Sequence, residues 1–108
     1  MKNCFPKIHR LPKDLSQEAE LLKAVADVHR LRILATLARA DEDVCVCDLN
    51  ASLPLLQPTV SHHLRILKDV GLITSERRGT WVYHRLSDDA RERLQRALDI
   101  ALPERMLA

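Results

Sequence analysis

One segment near the middle of the chain, residues 57–71, constrains the fold more than any other. Its apolar residues recur at intervals of four, three and three, the spacing of one face of an α-helix: Val60, Leu64, Leu67 and Val70. Pro58 takes the first helical position, where a missing N–H costs little, and Gly71 is a natural C-terminal stop. The pattern predicts a helix over residues 57–70.

The segments on either side predict a helix-turn-helix followed by a hairpin. Residues 44–53 suit a short helix that Pro54 ends, and two leucines separate that proline from the next helix. Residues 72–86 contain strand formers on both sides of a turn-like Arg78-Gly79-Thr80 sequence. We therefore predict one β-hairpin with a basic tip.

Three further helices complete the predicted fold. Ser16 is a candidate N-cap for the first, Asp27 for the second and Ser87 for the last. The last helix has a regular apolar stripe: Ala90, Leu94, Ala97, Leu98 and Ala101. The order ααααββα predicts a mainly α (α+β) winged helix-turn-helix, with the helices at 16–26 and 90–101 as candidate dimerisation helices.

Composition indicates one folded domain. The chain has 108 residues, and with 46% hydrophobic and 30% charged residues it is not disordered by composition. We predict a flexible arm at residues 1–15, a DNA-binding and dimerisation domain at 16–102, and a tail at 103–108. No uncharged stretch is able to span a bilayer and no apolar run follows the basic start, so we expect a cytoplasmic protein without a membrane partner.

The charge is unevenly distributed along the chain. The net charge is +2, yet residues 57–85 carry five basic residues against Asp69 and Glu76, a local charge of +3 before histidines are counted. The rest of the chain therefore sums to −1. A positive charge concentrated on the helix and hairpin is the footprint of a phosphate-binding surface.

The polar residues of this region suit DNA recognition. Five of them occupy the non-apolar faces of the 57–70 helix and are predicted to meet base edges: Gln57, Thr59, Ser61, His62 and Arg65. Lys68 suits a phosphate, and Arg77 and Arg78 at the hairpin tip suit the adjacent backbone or minor groove. The alternative is a solvated polar helix face. His63, Trp81 and Tyr83 are expected to pack within the protein.

The cysteines are candidates for ion binding. Cys45 and Cys47 begin the predicted third helix, where the positive end of the helix dipole favours thiolates. Their spacing does not favour a disulfide, but it allows two sulfurs to bind one ion, and Cys4 on the arm is able to supply a third. Three soft thiolates suit a trigonal ion such as As(III) or Sb(III) better than tetrahedral zinc. The alternative is that each cysteine is a small buried apolar residue.

Together these segments resemble the ArsR/SmtB family of dimeric metal-sensing repressors. The resemblance rests on residues 26–34 (ADVHRLRIL), 44–49 (VCVCDL), 57–67 (QPTVSHHLRIL), 71–73 (GLI) and 78–86 (RGTWVYHRL), and extends over about residues 18–98. It implies a winged-helix homodimer that binds double-stranded operator DNA in its apo form and leaves the DNA when it binds its ion.

The resemblance also implies a ligand set. In the family's arsenic sensors a third cysteine follows the Cys-Val-Cys-Asp-Leu motif, and here that position is Asn50. In the cadmium- and lead-sensing branch two cysteines of the other protomer's arm complete the site; Cys4 matches the first, and Ile8 takes the place of the second. The Asp and His zinc ligands of the last helix are absent from residues 86–102. We expect a site of the three cysteines, with As(III) or Sb(III) first and Cd(II), Pb(II) or Bi(III) as alternatives.

Two alternative functions use the same cysteines and histidines. A redox or reactive-sulfur sensor on the same scaffold uses the thiols for disulfide chemistry, with Cys4 as the partner because a bond between i, i+2 neighbours is strained. An enzyme is disfavoured, because no phosphate loop or paired-carboxylate site accompanies the cysteines and histidines. We therefore predict a repressor and not an enzyme.

Overall fold

The computed structural model describes residues 11–104, which form five helices and one three-stranded antiparallel sheet. The elements in chain order are α1 (Ser16–Val25), α2 (Val28–Arg39), β1 (Val44–Cys45), α3 (Val46–Ser52), α4 (Gln57–Asp69), β2 (Ile73–Arg78), β3 (Trp81–Leu86) and α5 (Ala90–Ala101). The fold is a winged helix-turn-helix. It confirms the order ααααββα, with the two-residue strand β1 as an addition.

The sheet has β3 at its centre. Strands β2 and β3 form the predicted hairpin, in register from Ile73 opposite Leu86 to Arg78 opposite Trp81. A two-residue turn joins them, and its first residue, Gly79, has a φ of 66°, which glycine adopts without strain. On its other edge β3 pairs with β1, so that residues predicted to start the third helix form a strand instead.

The helix caps were predicted with mixed success. Asp27 caps α2 as expected, because its carboxylate accepts the backbone N–H groups of His29 and Arg30 at 2.9 and 3.0 Å. Ser16 and Ser87 are not caps. Helix α1 already includes Ser16, and α5 begins only at Ala90, after a turn closed by the Ala90 N–H on the Ser87 carbonyl at 3.1 Å. Three residues after β3 are needed to redirect the chain into α5.

A single core holds the described elements together. Its largest fully buried side chains come from α2, α3, α4, the link after α4 and the start of β2: Ile33, Leu49, Val60, Leu67, Leu72 and Ile73. Because Leu49 of α3 and Val60 of α4 share this core, the two helices of the helix-turn-helix are tightly packed together. None of the helices within residues 11–104 is both long and apolar enough to cross a membrane.

Candidate nucleic-acid interface and cysteine pair

Helix α4 is fixed at its buried face and at its C-terminal end. It buries Val60, His63, Leu64 and Leu67. The N–H groups of Gly71 and Leu72 then bond the carbonyls of Lys68 and Leu67 at 2.9 and 3.0 Å, while Gly71 has a φ of 79°. This is the glycine stop predicted from the sequence. Arg93 of α5 donates to the Gly71 carbonyl at 3.1 Å, so the end of α4 is also tied to α5.

The buried histidine of α4 is held by the start of α2. Arg30 donates one N–H from Nη1 to Nδ1 of His63 at 3.1 Å and another from Nε to the Ala24 carbonyl at 2.6 Å. Burial lowers the pKa of His63, which keeps the ring neutral and able to accept the bond from Arg30. The expectation that His63 packs through a hydrogen bond is confirmed.

All six residues of α4 predicted to contact DNA are exposed: Gln57, Thr59, Ser61, His62, Arg65 and Lys68. The structure divides them into two groups. Gln57, Ser61, Arg65 and Lys68 line a groove between α4 and the hairpin, whereas Thr59 and His62 do not line it. Trp81 also lines this groove and is 52% exposed, so it is less packed than expected.

The basic residues of the hairpin lie on two opposite faces. Ser75 and His84 line the groove with α4, and alternation along β2 places Arg77 on their face. Thr74, Glu76 and Arg78 share the other face with Tyr83 and Arg85. The local charge of +3 therefore combines two surfaces, of which only the one with Arg65, Lys68 and Arg77 belongs to the groove.

Arg78 is tied to neighbouring groups. It forms ion pairs with Asp43 and with Glu76, the latter at 2.8 Å, and its guanidinium lies 4.6 Å from the centroid of the Tyr83 ring. Its side chain is 47% exposed, against 22% for Asp43. By contrast, Arg65, Lys68 and Arg77 form no ion pair with any residue in the range 11–104.

His84 adds little charge to the groove. The ring is buried and bonds the Ser75 hydroxyl at 2.8 Å. Burial, with a smaller effect from nearby Lys68, lowers the pKa of His84. The groove therefore owes its positive charge to arginine and lysine.

The two cysteines meet where β1 becomes α3. Cys45 is buried and is the N-cap of α3, its sulfur accepting the Cys47 N–H at 3.3 Å, whereas Cys47 is exposed. The structure joins them in a disulfide with their Cα atoms 5.2 Å apart. The expectation that this spacing disfavours a disulfide is therefore wrong. The two sulfurs are able to meet because Cys45 has an extended backbone and Cys47 a helical one, so that both sulfurs lie on one side of the chain.

The rest of the predicted ion site is only partly described. Cys4 lies outside the described residues, and within residues 11–104 no group of three or more His, Cys, Asp or Glu side chains is placed to bind a metal. Asn50 lies one helical turn after Cys47, and its Oδ1 is buried without a hydrogen-bond partner among these residues. Two of the three proposed sulfurs are thus adjacent.

Sequence reasoning missed three residues that position these surfaces. Arg30 and Arg93 anchor α4 from α2 and α5, and Asp43 joins the cysteine segment to the hairpin. In the sequence, Asp43 is only the last of three consecutive acids, residues 41–43. Each contact joins residues at least 22 positions apart, beyond any local pattern.

Comparison with known proteins identifies the family. The model of a bacterial regulatory protein family, arsR, matches residues 27–75. The arsenical resistance operon repressor of Bacillus subtilis is 41% identical over 75 residues, which are 69% of this chain and 70% of that protein. The chain belongs to the ArsR family. A cadmium resistance transcriptional regulatory protein, a CadC homolog of Staphylococcus aureus, is 35% identical and covers 77% of this chain and 72% of its own length.

A solved structure agrees with this membership of the ArsR family. A homodimeric winged helix-turn-helix DNA-binding domain from Mycobacterium bovis, a possible ArsR-family transcriptional regulator, is 32% identical with a TM-score of 0.65. The match covers 87% of this chain and 89% of that one. The fold and the ArsR-family membership of this chain therefore rest on both sequence and structure.

Proposed function

We propose that this ArsR-family chain is a homodimeric, cytoplasmic repressor that is not an enzyme. It binds operator DNA in its apo form and is released when a thiophilic ion binds Cys4, Cys45 and Cys47. The preferred ions are As(III) and Sb(III), with Cd(II), Pb(II) and Bi(III) as alternatives. The observation that carries the proposal is the position of two sulfurs at the start of α3, the helix that packs against α4.

The groove between α4 and the hairpin is the proposed DNA-binding surface. Gln57, Ser61 and Arg65 read base edges and Lys68 binds a phosphate. Arg77, opposite Val82 on the same face of the hairpin, binds a second phosphate. Thr59 and His62 reach DNA from the adjacent side of α4. Arg78 contributes less than Arg77, because carboxylates already occupy its Nε and Nη2 groups.

In this proposal, the second copy of the chain covers an apolar surface that is separate from the α4–hairpin groove. Side chains of α1, α2 and α5 line an open groove there, among them Leu22, Val25, Leu31, Leu34, Leu94 and Leu98. Leu31 is 54% and Leu98 45% exposed, so part of this apolar surface is open to a partner. Pairing through this surface holds two α4 helices at the separation of about 34 Å that successive major grooves require.

Ion binding acts on α4 through α3. Drawing Cys45 and Cys47 onto one ion with Cys4 constrains the start of α3, and the shared core passes that constraint to α4. The arrangement of α3 and α4 that binds the ion most tightly then binds DNA less tightly. Because coupling is reciprocal, DNA also lowers the affinity for the ion.

The test measures how different ions release one DNA duplex from the parent protein and from a variant without the two cysteines. A duplex selected by the apo protein from a random-sequence library is mixed with the protein and titrated with As(III), Sb(III), Cd(II), Pb(II) or Zn(II). Thiolate charge-transfer absorbance reports ion binding, and a mobility assay reports release. The proposal predicts release by As(III) at the lowest concentration, and no release of Cys45→Ser/Cys47→Ser. Release of that variant at the parent's concentration contradicts the site.

A gain-of-function variant tests the ligand count. Cys4→Ser should weaken the response to As(III), because one of three sulfurs is lost. Asn50→Cys in that background should restore it, because a thiol returns one turn after Cys47. Failure of Cys4→Ser to weaken the response shows that the arm is not a ligand.

A thiol-based redox sensor is the second candidate. The observation that favours it is the Cys45–Cys47 disulfide. It predicts that mild peroxide releases DNA from the parent and that a reductant restores binding. Mass spectrometry of the oxidised protein distinguishes a Cys45–Cys47 bond from a bond to Cys4.

A further inference from the structure

We infer that Asp43 is a positioning residue that couples the cysteine pair to the hairpin, so that the state of Cys45 and Cys47 controls the hairpin as well as α4. The inference rests on the proposed function and names a second connection within it. It is carried by three contacts in the sheet, none of which involves the core between α3 and α4.

The first contact is the pairing of the cysteine segment with the hairpin. Val44 lies opposite His84 and Cys45 opposite Tyr83, so β1 is an edge strand of the same sheet as the hairpin. Only two residue pairs hold this edge. A constraint on the two sulfurs therefore acts directly on a short piece of sheet.

The second contact is the ion pair between Asp43 and Arg78. Asp43 precedes β1, and Arg78 is the last residue of β2 at the hairpin tip. Because the strand order is β1-β3-β2, this pair spans the sheet from its β1 edge to its β2 edge. The two residues are 35 positions apart in sequence. When the segment of Asp43 and Cys45 moves, this ion pair pulls on the hairpin tip.

The third contact is between Arg78 and the ring of Tyr83, which holds the Arg78 side chain against the sheet. Arg78 stacks on Tyr83, the residue that lies opposite Cys45, and also pairs with Glu76. These contacts connect four residues in sequence: Asp43 pairs with Arg78, Arg78 stacks on Tyr83, and Tyr83 lies opposite Cys45, two positions after Asp43. Arg77, next to Arg78 in the chain, lies on the groove face, so displacement of the tip moves a proposed phosphate contact.

The experiment compares Asp43→Asn with Asp41→Asn. Asp41 is an exposed acid two positions earlier that forms no ion pair within residues 11–104, so Asp41→Asn changes the net charge equally. Each protein binds the selected duplex before and after the treatment that releases the parent, whether As(III), Cd(II) or mild peroxide. The dissociation constant for DNA after treatment, divided by that before treatment, measures the coupling between the cysteines and DNA binding.

We expect Asp43→Asn to lower this ratio by about two- to fivefold, the range of an exposed ion pair, while Asp41→Asn keeps the parent's ratio. A ratio in Asp43→Asn equal to that of the parent overturns the inference, and so does an equal loss in Asp41→Asn. A parent that keeps its DNA under every treatment overturns the proposed function and this inference with it.

Trp81 provides a readout without DNA. It is the only tryptophan of the chain, it lies opposite Arg78 in the hairpin, and it is half exposed. Thiol treatment of the parent should shift its fluorescence, and the shift should be reduced in Asp43→Asn. A full shift in that variant contradicts transmission through Asp43.

Discussion

Helices α4 and α5 have 13 and 12 residues, and both carry an apolar stripe, yet they bury it to different extents. Helix α4 buries four side chains, two of them leucines, whereas α5 buries only Ala90 and Ala97. Leu94 and Leu98 of α5 line an open groove. The same periodicity thus marks a helix packed within the monomer and a helix whose apolar face is left open to another surface.

The polar faces of the two helices differ in the opposite sense. On α5, Arg96 pairs with Glu92 at 3.0 Å, and the Gln95 amide donates to the Asp99 carboxylate at 3.1 Å. These polar side chains therefore find their partners within the helix. On α4, Arg65 and Lys68 form no ion pair within residues 11–104. We infer that α4 offers its polar face to a partner, and that α5 offers its apolar one.

The largest effect is expected from the buried face of α4. Leu67 is fully buried, so Leu67→Ala should lower the free energy of unfolding by about 2–5 kcal/mol through lost burial and a cavity. Leu98→Ala, at a 45% exposed site, should have a smaller effect that depends on protein concentration. Urea unfolding at two concentrations measures both, and equal losses would remove the contrast between the helices.

The apolar face of α5 is tested by a matched pair of lysine substitutions. Leu98→Lys places a charge in the proposed dimer interface and should weaken DNA binding by roughly 30-fold, because the two α4 helices lose their fixed spacing. Asp99→Lys adds the same side chain one position later, outside that groove, and should leave the protein dimeric. Analytical ultracentrifugation reports the oligomeric state. A dimeric Leu98→Lys protein contradicts the assignment.

The polar surface facing DNA is tested by salt dependence. Replacing Arg77 and Arg78 together with Ala should weaken binding and flatten its salt dependence, by a slope of about 0.9 for each phosphate that the hairpin no longer binds. The single Arg77→Ala variant should account for most of this change, because Arg78 is already paired with carboxylates. An unchanged slope in the double variant shows that the hairpin does not bind phosphate.

The smallest effect concerns pH. Burial lowers the pKa of His63 in the folded protein, so the unfolded chain binds the proton more tightly. The free energy of unfolding should therefore be highest above the ordinary histidine pKa of about 6.5 and fall as the pH drops through it. Since burial lowers the pKa of His84 in the same direction, His63→Gln should flatten this dependence only in part. Urea unfolding between pH 5 and 8 measures it, and an identical profile in the variant excludes His63 as a source.

The main elements were predictable because their patterns are local. The stripe of α4, the glycine after it and the strand formers around Gly79 each lie within one element, and all were confirmed. Strand β1 was missed because two residues carry no periodicity. The caps at Ser16 and Ser87 failed because the paths into α1 and α5 depend on neighbouring turns.

The candidate surfaces were predictable in residue type but not in arrangement. The exposure of Gln57, Ser61 and Arg65 follows from the apolar stripe opposite them. The opposite orientations of Arg77 and Arg78 depend on strand register, and the ion pair of Arg78 depends on a residue far away in sequence. The roles of these residues in DNA binding, and of the cysteines in ion binding, stay predictions.

By itself, the amino-acid sequence determined the order of the helices and the hairpin, the positively charged segment and the resemblance to the family, because periodicity, turn residues and motifs are local properties of the chain. Only the tertiary structure decided which arginines face the groove, which apolar stripe stays open and which acid binds the hairpin tip. Those outcomes depend on contacts between distant residues, and their geometry follows from how the shared core orients each element.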